Sequence, residues 1–173
     1  SARIQALIQE LEAAGVDVIV THAAAVLRSV QAKRNVPLVY HLSADPVSLG
    51  LAAELSKPQN DATGITLMGA ELNGKRLDLL REIMPASRTI AVIYNPLHGG
   101  EHLERAWVES RAQALNFAVA YRPAADRPAL DQVLAATAAN SPDAILLLSD
   151  GFLQAERKPV MEFAARLRIP VFA

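Results

Sequence analysis

The chain has 173 residues, of which 51% are hydrophobic and 20% charged, a composition typical of a globular protein with one sizeable core or two small lobes. Its net charge is −1 at pH 7 without a long run of one sign, which argues against a nucleic-acid partner and a polybasic membrane patch. The sequence contains no cysteine, which excludes disulfides and thiolate chemistry.

Short apolar runs rich in β-branched residues alternate with stretches of helical periodicity along the chain. Gly15 and Pro85 are typical helix stops, and Asp126 is a good N-cap for the helix after it. We predict strands at 16–22, 36–42, 63–68, 89–95, 117–123, 143–150 and 169–173. We predict helices over 4–11, 23–30, 77–84, 103–114, 130–137 and 160–167, and a further helix through Leu51 and Leu55 that ends at 57–58. In the helix over 103–114, one face is formed by Leu103, Ala106, Trp107, Ser110 and Ala114.

Near-continuous apolar strands that alternate with helices predict parallel sheets covered on both faces, and therefore a doubly wound α/β fold. The stretch 55–64 is rich in Pro, Asn, Asp and Gly and interrupts this alternation. We therefore predict a boundary in this stretch, between a small first part and a larger second part.

Polar residues stand where four of the predicted strands end. In open parallel sheets, ligands bind beyond the carboxyl ends of the strands. Each of the four ends also precedes a predicted helix, whose free N–H groups favour an anion. The four ends are Thr21-His22-Ala23, Ser43-Ala44-Asp45, Tyr94-Asn95-Pro96 and Ser149-Asp150-Gly151.

Each of these candidates also has a purely structural interpretation. Asp45 before Pro46 is the pattern of an N-cap followed by proline at the first helical position. Asp150 before Gly151 fits a turn or a cap in the same way. A carboxylate can cap a helix and still face a ligand, so both interpretations stay open.

Patterns of catalytic residues are absent from the sequence. It has no GxGxxG, Walker, GxSxG or HExxH motif, and nothing pairs a nucleophile with a base. His98 and His102 have a spacing that can chelate a metal on a helix, but the glycine pair at 99–100 between them argues against an intact helix. The sequence therefore favours a binding protein over an enzyme, and it predicts no cofactor and no metal site.

Several segments, in order, resemble the ABC-transporter substrate-binding proteins that are often assigned to aromatic amino acids. The segment DPVSLGL at 45–51 precedes a Pro, Asn and Thr-Gly pattern at 58–64. The run GKRLDLL at 74–80 is followed by AVIYNP at 91–96. The segments at 143–153 and 168–173 fall where this family has its third and fourth strands of the second lobe.

The resemblance implies a type I periplasmic-binding-protein fold, in which crossing strands join two α/β lobes and a small ligand lies in the cleft. Residues 1–62 would form part of the first lobe, and 63–173 the second lobe, with 62–66 as a crossing. Family members have further units before and after these segments. We therefore expect a fragment without its signal peptide, with an exposed sheet edge that invites pairing into a homodimer.

The resemblance also implies a function in solute import. The chain would bind an amino acid or a related small molecule and present it to an ABC permease, in the periplasm or anchored outside the membrane. The ligand carboxylate would meet hydroxyls and helix N-termini of the first lobe, the ammonium would meet Asp150, and Tyr94 would contact the ligand side chain. The implied ligand-binding residues are Thr21, His22, Ala23, Ser43, Asp45, Tyr94, Asn95 and Asp150.

Two other functions remain open at this point. The same fold serves as the ligand-sensing domain of cytoplasmic regulators and signalling proteins, which a DNA-binding or kinase-like segment elsewhere in the gene would favour. An enzyme of the flavodoxin-like or sugar-phosphate type would need a phosphate-binding glycine loop, and the only candidate is HGGE at 98–101.

Overall fold

The computed structural model describes residues 2–22, 25–58 and 61–173, and these separate into two units. The first unit ends at Met68 and the second begins at Gly69. The sequence predicts the boundary after residue 62, whereas the strand that begins at Ala62 pairs with the sheet of the first unit.

The first unit is built on a parallel sheet of three strands. Its described elements are α1 (Ala2–Ala13), β1 (Ile19–His22), α2 (Val26–Gln31), β2 (Leu38–Leu42), β3 (Ala52–Glu54), β4 (Lys57–Pro58) and β5 (Ala62–Thr66). The parallel sheet has the order β1–β2–β5, while β3 and β4 form a separate antiparallel pair. The carboxyl ends of β1 and β2 therefore lie side by side, with His22 opposite His41 in the register.

This sheet buries one face and exposes part of the other. Alternate residues such as Ile19, Leu38 and Leu42 are buried in one core with Ile8 of α1 and Val26 of α2. On the opposite face, Val20 is 73% exposed and Ile65 is 66% exposed. Parallel sheets normally have both faces covered, so this open face is unusual for the class.

The predicted helix through Leu51 and Leu55 is wrong. Residues 46–50 form a turn, and the hairpin of β3 and β4 follows it. Gly50 has a φ of +69°, which glycine adopts without strain and which stops a helix. Leu51 is buried while Leu55 is 65% exposed, so the two leucines do not share the buried face that their spacing predicts.

The second unit has a parallel sheet of four strands with helices between them. Its elements are α3 (Gly69–Ile83), β6 (Thr89–Tyr94), α4 (Glu101–Ala114), β7 (Ala118–Pro123), α5 (Arg127–Asn140), β8 (Ala144–Leu147), α6 (Gly151–Ala155), α7 (Arg157–Leu167) and β9 (Val171–Phe172). The strand order β7–β6–β8–β9 makes β6 and β8 the central pair. Asp126 caps α5 as predicted, because its Oδ1 accepts a hydrogen bond of 2.9 Å from the N–H of Ala129.

The central strands of this sheet are buried on both faces, which confirms the predicted doubly wound α/β class. All of β8 is buried, as are residues 90–93 of β6. One face packs against α5 and α7 through a core that includes Leu130, Leu134 and Phe163. The other face packs against α3 and α4 through Leu77, Leu80, Val108 and Ala112.

The predicted inner face of α4 is wrong by about one residue. The residues of α4 that are buried are Glu104, Val108 and Ala112, whereas Trp107 is 56% exposed. The apolar residues of this helix allow two adjacent stripes, and the sequence favours the stripe with the tryptophan. The correct stripe begins with a glutamate, which occurs in a core only where charged or polar partners meet it.

Candidate functional site

The first unit presents polar residues at the ends of β1 and β2. Thr21 is buried, and its hydroxyl lies 3.4 Å from that of Ser29 in α2. His22 is exposed, and Ser43 is 6% exposed directly after β2. The predicted site residue Ala23 lies outside the described residues. The hydroxyl of Thr21 thus ties a strand end to a helix within the unit.

Asp45 closes the turn after β2. Its Oδ1 accepts a hydrogen bond of 3.0 Å from the N–H of Val47, and its Oδ2 accepts bonds from Ser48 of 2.6 Å from the hydroxyl and 3.2 Å from the N–H. The hydroxyl of Ser48, helped by these two N–H groups, lowers the pKa of Asp45 against the opposing effect of burial. Asp45 therefore makes the hydrogen bonds expected of an N-cap, but the residues that follow it form a turn instead of a helix.

The second unit brings Asn95 and Asp150 together at the ends of the adjacent strands β6 and β8. Asn95 Nδ2 donates a hydrogen bond of 3.0 Å to Asp150 Oδ1. The same oxygen accepts the N–H groups of Phe152 at 2.9 Å and Leu153 at 3.3 Å, so Asp150 caps α6. Asn95 Oδ1 accepts the N–H of Leu97 at 2.9 Å. These bonds fix both side chains in one orientation.

His98 and Glu104 extend this pair into a buried polar cluster that the sequence did not predict. The Nε2 atom of His98 lies 3.5 Å from Glu104 Oε1, and its Nδ1 lies 3.8 Å from Asp150 Oδ2. The side chains of His98, Glu104 and Asp150 are 7%, 1% and 7% exposed. Two carboxylates thus face one imidazole from opposite sides.

The carboxylates change the proton affinity of this imidazole. Burial alone would lower the pKa of His98, but the hydrogen bond and charge of Glu104, with the charges of Asp150 and Glu101, outweigh burial and raise it. A protonated His98 is favoured because its positive charge compensates two buried negative charges.

Glu104 also meets a cation from α3. Burial lowers the pKa of Arg76, and the charge of Glu104 opposes that effect. Arg76 Nη1 donates a hydrogen bond of 2.7 Å to Asn73 Oδ1, and Asn73 is fully buried. The cluster therefore runs from α3 through α4 to the end of β8. In the sequence, Glu104 has helical spacing with Val108 and Ala112, but this spacing does not indicate a polar cluster.

Tyr94 lies beside this cluster in an aromatic and cationic contact. Its ring meets that of Tyr121 edge to face, with centroids 6.3 Å apart. The Arg105 guanidinium lies 4.8 Å from the Tyr94 centroid and 5.6 Å from that of Tyr121. Burial and the hydrogen bond to Glu109 raise the pKa of Tyr121. Tyr94 is partly buried.

A cavity among the described residues lies at the opposite end of the first unit's sheet. It has a volume of about 1040 Å³ and is lined by residues at the end of α2 and the starts of β2 and β5. None of the predicted site residues lines it. Among the described residues, no group of His, Asp and Glu side chains is arranged to hold a metal ion, and no helix is long and apolar enough to cross a membrane.

A family model described as ABC transporter substrate binding protein matches residues 1–173. The chain belongs to this family. It matches none of the curated proteins with which it was compared.

Solved structures of similar fold span more chain than this one. The ABC domain in complex with L-Trp from Streptococcus pneumoniae matches with a TM-score of 0.82 at 17% identity. A conserved domain protein from Vibrio cholerae matches with 0.84 at 22% identity, and each match covers 99% of this chain and 57% of the other. CD0873 of Clostridium difficile, a substrate binding protein with adhesive properties in its ligand-free, open form, matches with 0.56 at 21% identity, over 98% of this chain and 57% of that one.

Proposed function

We propose that the chain is the solute-binding component of an ABC import system and that it binds an amino acid or a related small molecule. The family match over residues 1–173 supports the transport role. A solved structure with the same fold, at 17% identity, is in complex with L-Trp, and this is the basis for proposing an amino acid as the ligand class. Regulators can share this fold, so the family match, rather than the fold, favours a transporter over a sensing domain.

The observation that carries this proposal is the Asn95–Asp150 pair at the ends of β6 and β8. Ligands of open parallel sheets bind at such strand ends. Three N–H donors hold Asp150 Oδ1 in place, which directs the second oxygen to other partners. A ligand ammonium would bind Oδ2 by a charge-assisted hydrogen bond. Tyr94 would contact the ligand's apolar or aromatic side chain.

The strand ends of the first unit are the other proposed ligand-binding positions. We propose that His22, which is exposed, and Ser43, which directly follows β2, contact the ligand. The hydroxyl of Thr21 faces Ser29, and both oxygens of Asp45 are bound within its own turn. An imidazole at position 22 adds a hydrogen-bonding group and narrows the space for the ligand.

The proposed partner in the membrane is an ABC permease, and the proposed location is the periplasm or the outer face of a membrane to which the protein is anchored. The loaded protein would present its ligand to the permease. The chain covers 57% of the length of the solved chains that it matches. The proposed partner and location therefore refer to a whole transport protein.

Native mass spectrometry against a panel of free amino acids, nucleobases and small acids tests the proposal. We expect an adduct with an aromatic or branched amino acid, and we expect Asp150→Asn to weaken it at least tenfold, or about 1.4 kcal/mol. Asp126→Asn is the matched control, because Asp126 also caps a helix of the second unit. Equal losses in the two variants, or no adduct with any compound, would contradict the proposal. The same spectra report whether two copies pair, as predicted from the sheet edge.

A further inference from the structure

His98 occupies a buried position between two acidic residues from different parts of the second unit. Glu104 faces its Nε2 from α4 at 3.5 Å, and Asp150 faces its Nδ1 from the end of β8 at 3.8 Å. The other charged groups nearby are Glu101 of α4, which pairs with Arg105, and Arg76 of α3, which acts on Glu104. The neutral Asn95 holds Asp150 from β6.

The geometry at Asp150 divides its two oxygens between two tasks. Oδ1 accepts three N–H groups and is fixed by them. Oδ2 faces His98 at a distance that suits an ion pair but exceeds a normal hydrogen bond. Oδ2 is therefore the oxygen that a new donor can approach most readily, and His98 is the cation beside it.

We propose that His98, held by Glu104, is the counter-charge of Asp150 and that its proton competes with the cationic group of a ligand for Asp150 Oδ2. This inference rests on the proposed function, and it narrows the ligand class to compounds with an ammonium group. His98 acts as a positioning residue that sets the charge of the site.

Charge balance gives the reason for the competition. With His98 protonated, the charges of Asp150, Glu104, His98 and Arg76 cancel. When His98 loses its proton the group carries one negative charge, which a bound ammonium cancels again. The proton and the ammonium together would leave one positive charge in excess in a site with little access to water, which is unfavourable.

Linkage fixes the sign of the effect. A ligand ammonium that binds at Asp150 lowers the pKa of His98, so by reciprocity the ligand binds more tightly once His98 has lost its proton. Affinity should therefore rise as the pH rises through the pKa of His98. A ligand of the same shape without the ammonium should not show this rise.

The first test needs no ligand. The pKa of His98 is read from the pH dependence of its imidazole proton resonance by NMR, in the wild-type chain, in Asp150→Asn and in the control Asp126→Asn. We expect Asp150→Asn to lower the pKa and Asp126→Asn to leave it unchanged. A pKa of His98 that Asp150→Asn does not lower would overturn the proposal, whether or not any ligand is found.

The second test uses L-tryptophan and indole-3-propionate, which differ by the ammonium group. Calorimetry from about pH 5 to 9 should show an affinity for L-tryptophan that rises by up to about tenfold per pH unit around the pKa of His98. His98→Gln should abolish this slope, and indole-3-propionate should lack it. The same slope in His98→Gln, or a flat wild-type profile, would overturn the proposal. If the wild type binds no ammonium compound, the proposed function fails, and the NMR titration alone decides the pairing of His98 with Asp150.

Discussion

The two units hold the ends of their parallel strands by different means. In the second unit, the ends of β6 and β8 are joined by Asn95 and Asp150 and are backed by the buried charges of His98 and Glu104. In the first unit, the end of β1 is tied to α2 by the hydroxyl contact of Thr21. The second unit thus depends on charge and the first on hydroxyl contacts and close packing, so different changes should damage each of them.

The largest effect should come from the removal of Glu104. Glu104→Ala leaves His98 and Arg76 with less negative charge in a buried site, and we expect a loss of about 3–5 kcal/mol in the free energy of unfolding. Denaturant titration followed by hydrogen exchange checks the size and the place of the loss. Exchange should increase in residues 69–173 much more than in 2–68.

Glu162→Ala is the matched control for this variant. Glu162 lies in α7, is 60% exposed and makes a long ion pair of 3.9 Å with Lys158. We expect it to change the free energy of unfolding by less than about 0.5 kcal/mol. If the two variants lose the same stability, the buried cluster does not hold the second unit together.

A smaller effect should come from the packing of the first unit. Gly64 lies opposite Tyr40 in the register, and a Cβ at position 64 would overlap the backbone oxygen and the ring of Tyr40. Gly64→Ala should therefore destabilise the first unit by about 1–3 kcal/mol. The open space around Gly74 in α3 makes Gly74→Ala the contrasting variant, with an expected gain of about 0.5–1 kcal/mol from helix propensity. Thermal melts with the two variants of opposite sign check both expectations.

The strands of the two parallel sheets were predictable because their apolar runs are rich in β-branched residues. The prediction was wrong for residues 46–58. Leu51 and Leu55 have helical spacing, but residues 46–50 form a turn that ends at a glycine with positive φ, directly before Leu51. Spacing alone does not report such a local stop. The inner face of α4 failed for a related reason, since the pattern does not say that a glutamate replaces an apolar residue in the buried stripe.

The candidate site was predictable only in part. The rule that ligands bind at strand ends selected Asn95 and Asp150, and the structure places them in hydrogen-bond contact. It did not select His98, because a loop of two glycines separates this residue from α4 and gives it no periodic relation to Glu104. Contacts made through such a turn depend on three-dimensional packing. His98 and Glu104 could therefore be found only in the structure.

The smallest effect should be a dependence of stability on pH that is confined to the second unit. The folded state raises the pKa of His98, so the protonated form stabilises the fold. This contribution is fully present below the pKa of a histidine in the unfolded chain, about 6.5, and it is lost as the pH rises through the higher folded pKa. Unfolding by urea at a series of pH values across this window should show stability falling as the pH rises.

His98→Gln should remove that slope while Gly64→Ala keeps it, since Gly64 belongs to the first unit. A slope that persists in His98→Gln would assign the pH dependence to another group and remove the difference between the two units.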